Sequence, residues 1–461
     1  MTKKSSCLLI TAARLRGVLW LLVAHIVLSL PGGAYAQSQT RQAPIDGLIY
    51  DLKNPDPVRR RDAAKLLGDN KVKRAIPDLV AVSSDPEPTV RRAAIFALAN
   101  MSDIQCLPAF VRQASDPEKE IRGKCVDSLL DLYLPKESGL TASVGKVANL
   151  LNPWSDEWAE VVIEPGIPVD ASVIDALKGR LGDTESDIRV KSCRALGILK
   201  ARDALPDVAA LLEKDSPNDL RFEAIRAIRK MGDPAGGKTL INYFNYSDPK
   251  VRNEAVFTVG RLRYRPALQE LTRLFADESA KPAKLIDKPY QDALLDAIAC
   301  IADPSSKELL IKERMNPDDS LRLRATEGLA RLGEASIVTE VARDRLAEKN
   351  SKLQTAQSFA LYRMGRKEYL DDLVRRLGSS KTSAEARQYL LEFRPQELPD
   401  LYAQARDKDT AVREGLVEIF GLIGDKGAIP VLQELSGDDR GQITVLANQA
   451  LRRVYARTGV K

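Results

Sequence analysis

The sequence has 461 residues, with 70 Lys and Arg against 64 Asp and Glu and a single histidine, His25. A formal charge of +6 is small for a chain of this length. General polyanion binders carry a marked basic surface, so nucleic acid is not an expected partner.

Taken in chain order, Lys3, Lys4, Arg14 and Arg16 precede an uncharged apolar run, Gly17 to Leu30, followed by PGGAYA with Ala34 and Ala36 at small positions that signal peptidase reads. The run is short for a bilayer span. Residues 1–36 are therefore expected to be a secretory signal peptide cleaved between Ala36 and Gln37, with an uncleaved anchor as the alternative. The mature chain would be periplasmic or secreted, with no stable membrane insertion. It would lose His25 and four basic residues, leaving 66 basic against 64 acidic. Without histidine, Ser-His-Asp and Cys-His nucleophiles and the usual zinc sites lack their base or ligand. No metal and no cofactor is expected. Residues 53–74 carry eight basic and three acidic side chains, which reads as a solvated helical face, with a binding patch as the alternative.

From residue 46 onward one unit recurs. TVRRAAIFALAN (89–100), DLRFEAIRAIRK (219–230), KVRNEAVFTVGR (250–261) and SLRLRATEGLAR (320–331) superimpose without gaps. With the apolar residue before the arginine as anchor, the series runs Val58, Val90, Ile121, Ile188, Leu220, Val251, Tyr290, Leu321, Leu353, Thr382, Val412 and Ile443. Steps are 29 to 32 residues, except for one of 67 and one of 39. A fixed period of this size marks a solenoid. Anchor, anchor+4 and anchor+8 share a helical face, and the middle position is often small (Ala94, Cys125, Ser192, Ala224), so a neighbouring helix can come close. A second amphipathic run follows each turn, often opened by proline, as in AIPDLVAV (75–82) and ELPDLYAQ (397–404). Asp-Pro pairs such as Asp85-Pro86 and Asp248-Pro249 turn the chain and cap the next helix.

With these units in hand, the chain resembles the HEAT-like repeat family of the short type first named from phycobilin lyases. The resemblance implies an all-α, right-handed solenoid of about twelve helix pairs with a long concave face. It also implies that the arginines one place after the anchor (Arg59, Arg91, Arg122, Arg189, Arg221, Arg252, Arg322, Arg413) bond to the turns between units. A nucleic-acid stripe is the alternative. The expected organisation is repeats 1–3 from 37 to 135, an insertion within repeat 3 at 136–170, and the remainder from 171 to 461 with a short insertion near 277–289. Cys106, Cys125, Cys193 and Cys300 are expected as buried thiols, a disulfide being the alternative.

GDPAGGKT, Gly232 to Thr239, has the spacing of a phosphate-binding P-loop. That motif needs a strand before it, and here it falls between two helical runs, so no nucleotide is expected there. Deoxyhypusine hydroxylase, similar in repeat architecture, holds iron with His-Glu pairs that a histidine-free mature chain cannot supply. Phycobilin lyase subunits act on a cytosolic chromophore, which does not suit an exported chain. The expected function is a non-enzymatic scaffold for a protein or cell-envelope component. A carboxylate-based or lyase-like enzyme acting on a carbohydrate or chromophore is the alternative, although the acidic residues read as mostly solvated. The insertion contains Trp154 and Trp158, and the second run of the fifth unit contains Tyr243, Phe244 and Tyr246. These five aromatics are expected to frame a partner site at one edge of the groove. The alternative is that the tryptophans fold back as a plug.

Overall fold

The computed structural model describes residues 44–134, 158, 160–213, 216–437 and 441–460. The proposed leader, Trp154 and much of the insertion lie outside them. Among the described residues every regular element is helical, and no helix is long and apolar enough to cross a membrane. The fold is an α-solenoid, and the chain divides into two compact units, residues 1–113 and 114–461.

In the first unit the long helices are α1 (Pro57–Asp69) and α2 (Pro88–Met101), packed on each other. In the second they are α3 (Lys119–Asp131), α4 (Ser186–Ile198), α5 (Asn218–Met231), α6 (Pro249–Arg261), α7 (Lys288–Ile301), α8 (Asp319–Leu332), α9 (Ser351–Arg363), α10 (Ser383–Leu391), α11 (Thr410–Ile423) and α12 (Gly441–Thr458). Each packs on the next in sequence order. A short helix after most of them, such as Ile76–Val82 or Leu205–Glu213, closes the unit from one side.

The anchors from Val90 to Ile443 are buried. The first is different. Val58 is 49% exposed, while Ala63, Ala64 and Leu67 are buried, which moves the register one residue later. Arg60, not Arg59, therefore makes the turn contacts. Its Nη1 donates to the carbonyls of Asn54 (2.8 Å) and Pro55 (2.9 Å). Arg91 does the same to Asp85 and Pro86, Arg122 to Asp116 and Pro117, Arg189 to Asp183 and Thr184, and Arg322 to Asn316 and Pro317. These carbonyls would otherwise lack partners next to a helix start, and a charged donor satisfies two of them at once. Arg60 and Arg122 also reach forward, forking onto Asp85 and Asp183 of the following turn at 2.7–2.9 Å. Arg252 departs from the pattern, pairing with Asp287 over the ring of Tyr290.

Close helix approach depends on small residues at a fixed register. A Cβ at Gly197 on α4 would lie 2.6 Å from Cα of Ala227 on α5, and one at Gly260 on α6 would meet Ala297 on α7 at the same distance. Gly197→Ala gains about 1 kcal/mol of helix propensity. Its methyl group, however, lands on backbone, and such overpacking costs typically about 1–3 kcal/mol. We expect a net loss of about 1 kcal/mol in urea unfolding. A midpoint equal to or above wild type would contradict this packing.

Candidate functional site

The described part of the insertion does not stand clear of the repeats. Ile163 is buried and its amide donates to the Ile198 carbonyl at the end of α4 (2.9 Å). Glu160 accepts two hydrogen bonds from Arg229 of α5, at 2.9 and 3.1 Å. Lys230 of the same helix donates to the Trp158 carbonyl (2.5 Å), and the Arg194 guanidinium lies 5.6 Å from the Trp158 ring centre. Further along, Glu164 pairs with Arg453 of α12 at 2.6 Å across 289 residues of sequence, and Gly166 sits against Ala456. The segment thus runs across the C-terminal ends of α4 and α5 to the last helix, held mostly by charged groups.

The four described aromatic candidates are not brought together. Trp154 lies outside the described residues. Trp158 is half-buried beside Arg194 and Lys230. Phe244 is fully buried, and Tyr243 is buried with its hydroxyl bonded to the Leu212 carbonyl, so both belong to the packing between helices. Tyr246 is half-buried, donating to Asn218 (3.0 Å) and accepting from Arg221 (2.9 Å) at the start of α5. Arg221 and Lys230 are nine residues apart on one helix, a rise of about 13 Å. Trp158 and Tyr246 therefore mark opposite ends of α5. The short run after the turn travels back along the long helix, which carries its aromatics away from the insertion.

The P-loop-like turn is filled by its own packing. Gly232 closes α5 in the left-handed conformation (φ +69°), the Asp233 side chain accepts from the Ala235 amide (2.9 Å), and the Gly236 amide donates to the Asp233 carbonyl (3.1 Å). Gly236 and Gly237 are buried because a Cβ would strike Ile228 or Tyr264 at 2.4 Å. The amides that would cradle phosphate in a true P-loop serve capping here.

Many acidic residues expected in solvent are inside. Glu223, Glu254, Asp296, Glu327, Glu385 and Glu418 are all buried. They face cations from neighbouring long helices. Arg194 bonds Glu223 (3.2 Å), Arg229 bonds Glu254 (3.2 Å), and Arg261 bonds Asp296 (3.1 Å). Arg324 reaches Asp292 at 3.1 Å, Asp296 at 3.4 Å and Glu327 at 3.5 Å. Arg331 forks onto Glu392 at 2.7 and 2.8 Å, and the Tyr389 hydroxyl donates to Glu327 (2.7 Å). Burial alone would raise the carboxyl pKa of Asp296 and Glu392, but the surrounding arginines override it and hold both below their ordinary values. The signal was present in the sequence as charges three, six, nine or ten places after the anchor. Only stacking shows that they meet.

All four described cysteines are buried, with Cys125, Cys193 and Cys300 as free thiols. Burial pushes the Cys300 thiol up to about 11 and the Cys125 and Cys193 thiols upward as well, which keeps them protonated and poorly nucleophilic at neutral pH.

The family pattern described as HEAT repeats matches residues 45–130, 167–229 and 206–285. No curated protein matches the sequence. Solved structures with a similar fold include an engineered protein, 16% identical, covering 89% of this chain and 98% of its own with a TM-score of 0.35. A structure from work on the interaction between cadherin and β-catenin is 13% identical, with 88% and 99% coverage and a TM-score of 0.38. The complex of CpcE and CpcF of phycocyanin lyase from Nostoc sp. is 18% identical, with 62% and 93% coverage and a TM-score of 0.28.

Proposed function

The chain is a HEAT-repeat protein, and from that premise we propose that it is an exported, non-enzymatic scaffold that holds a protein or cell-envelope partner. One observation carries the reading: acidic groups buried or half-buried in the stack are paired within the chain, Arg324 with Asp292, Asp296 and Glu327, and Arg331 with Glu392. A general acid at neutral pH needs a carboxyl with a raised pKa. Asp296 and Glu392 are held the other way. These groups serve the stack, and the variable surface is left for recognition, as in solenoids generally.

Export rests on residues 1–36, and partner contact on the insertion. Trp158 is half-buried beside cationic Arg194 on a segment anchored at both ends, so its ring is held in place with part of its surface open. Rigid tryptophans of this kind often dominate interfaces. Mature chain secreted by its own leader should begin at Gln37 by N-terminal sequencing, and as bait it should capture a defined partner from envelope extract. Trp158→Ala is expected to weaken that capture by about 2 kcal/mol, the scale of an interface hot spot, while the thermal midpoint stays within a few degrees. Tyr246→Ala, at the far end of α5, should leave capture unchanged. Retained capture in Trp158→Ala would remove the insertion from the interface. Intact Met1 in the membrane fraction would remove export.

A further inference from the structure

A cleft of about 230 Å³ opens where the C-terminal ends of α6, α7, α8, α9 and α10 converge. Its lining is dominated by Arg263, Arg265, Arg331, Arg363 and Arg394, with Glu392 the one acidic residue among them and Ile301 and Ala302 as an apolar wall. Five consecutive repeats contribute to this one place. Some of the arginines have structural employment. Arg331 forks onto Glu392, and Nη1 of Arg363 donates to both carboxylate oxygens of Glu397 at 2.9 and 3.1 Å. Cations at helix C-termini also complement the helix dipole.

Those roles do not account for the excess. Glu392, Glu397 and Asp303 are paired with the lining arginines, and Glu327, 3.8 Å from Arg331, lies closer to Arg324 at 3.5 Å, so five guanidiniums face three acidic groups that no arginine outside the cleft shares. The pairings of Arg263 and Arg265 are loose, 3.9 Å to Glu392 and 3.7 Å to Asp303, beyond hydrogen-bond reach, and both side chains are mostly exposed. Arg394 is exposed at the rim. Arg331 is more than nine-tenths buried, its Nη1 turned toward Glu327 at 3.8 Å and closed to solvent, so it supplies charge beneath the cleft and not a hydrogen bond into it. Converging like charges repel. A chain-internal stack gains nothing from gathering guanidiniums in this excess. A ligand bearing two negative charges would balance it, and guanidinium forks match the oxygen spacing of a tetrahedral oxyanion.

We propose that this cleft is a binding site for a tetrahedral oxyanion of charge two, carried by a small phosphorylated or sulfated molecule. Arg331 forms the floor and is fixed by Glu392. Arg263, Arg265 and Arg394 close over the ligand from the rim, since no strong pairing holds them elsewhere. The small volume suits a single anionic group with a short attachment, not a polymer. This site is separate from the Trp158 segment, and its fate does not depend on the partner reading.

The test uses the mature chain with inorganic phosphate, pyrophosphate and sulfate as probes, followed by thermal midpoint and calorimetric titration against sodium chloride at matched ionic strength. Pyrophosphate and at least one of the single oxyanions should raise the midpoint and give saturable heat, while chloride does neither. Arg265→Ala combined with Arg394→Ala removes two exposed rim cations without touching a buried pair. That variant should keep the unliganded midpoint and lose about tenfold or more in affinity, the scale of charge-assisted hydrogen bonds. Arg273→Ala, an exposed arginine engaged with Glu270 and Asp277 away from the cleft, is the control and should bind as wild type. Preference between phosphate and sulfate names the source of the group. Absence of saturable binding, or binding undiminished in the rim variant, would overturn the assignment.

Discussion

Arg324→Met is expected to lower the stability of the 114–461 unit by about 3–5 kcal/mol, the usual cost of breaking a buried ion network from one side. Arg324 is the shared counter-charge of Asp292, Asp296 and Glu327, of which the last two are almost fully buried. Removing it leaves Asp296 to Arg261 and the Cys300 thiol, and Glu327 to Arg331 and Tyr389. Urea unfolding of this variant should therefore show a much lower midpoint. Adding Asp296→Leu should restore part of the loss, because the second change removes a charge that the first left stranded. If the double variant is as unstable as the sum of the two single ones, the groups are not coupled and the network is misread.

The second large effect is in pH. Lys230 sits almost fully buried at the end of α5, and that burial, only partly offset by Glu223 and Glu160 and reinforced by Arg226 and Arg229, lowers its pKa from 10.5 to about 7. Its folded value lies below its unfolded one. Between the two, the unfolded chain binds a proton that the folded chain lacks, so stability rises with pH. The slope is about 1.4 kcal/mol per pH unit at most. From pH 7 to pH 9 the wild type should gain roughly 2 kcal/mol relative to Lys230→Met. Below about pH 6 the two curves should run parallel, since the lysine is then charged in both states. Parallel curves from pH 7 to 9 would place the lysine in water. The hydrogen bond from Lys230 to the Trp158 carbonyl ties this titration to the insertion, so the same experiment followed by tryptophan fluorescence reports whether the segment loosens as well.

The repeat and its core were legible because each unit must bury the same face: a period near 31 residues and anchors from Val90 to Ile443 follow from local pattern, while the arginines that bond the turns were implied by the family resemblance. The first unit misled because Val58 stands beside three arginines, Arg59 to Arg61, and apolar character alone picks the wrong register. Turn hydrogen bonds to the Asn54 and Pro55 carbonyls select Arg60 instead. The aromatics of the fifth unit lie apart from Trp158 for another reason. Tyr243, Phe244 and Tyr246 follow a turn at the same end of α5 as Trp158, but the run that bears them reverses direction and carries Tyr246 to the opposite end.

Sequence by itself determined the helices, their spacing and the apolar contacts between consecutive units, since these depend on neighbours a fixed number of residues apart. Tertiary structure alone decided where the charges went. Glu327 on α8 receives Tyr389 from α10, Arg331 reaches Glu392 two units on, and Glu164 meets Arg453 across most of the chain. On a single amphipathic helix each of these residues looks like solvated surface. Packing brings α8 and α10, two repeats apart, close enough to exclude water, and a charge kept from water must find its opposite there.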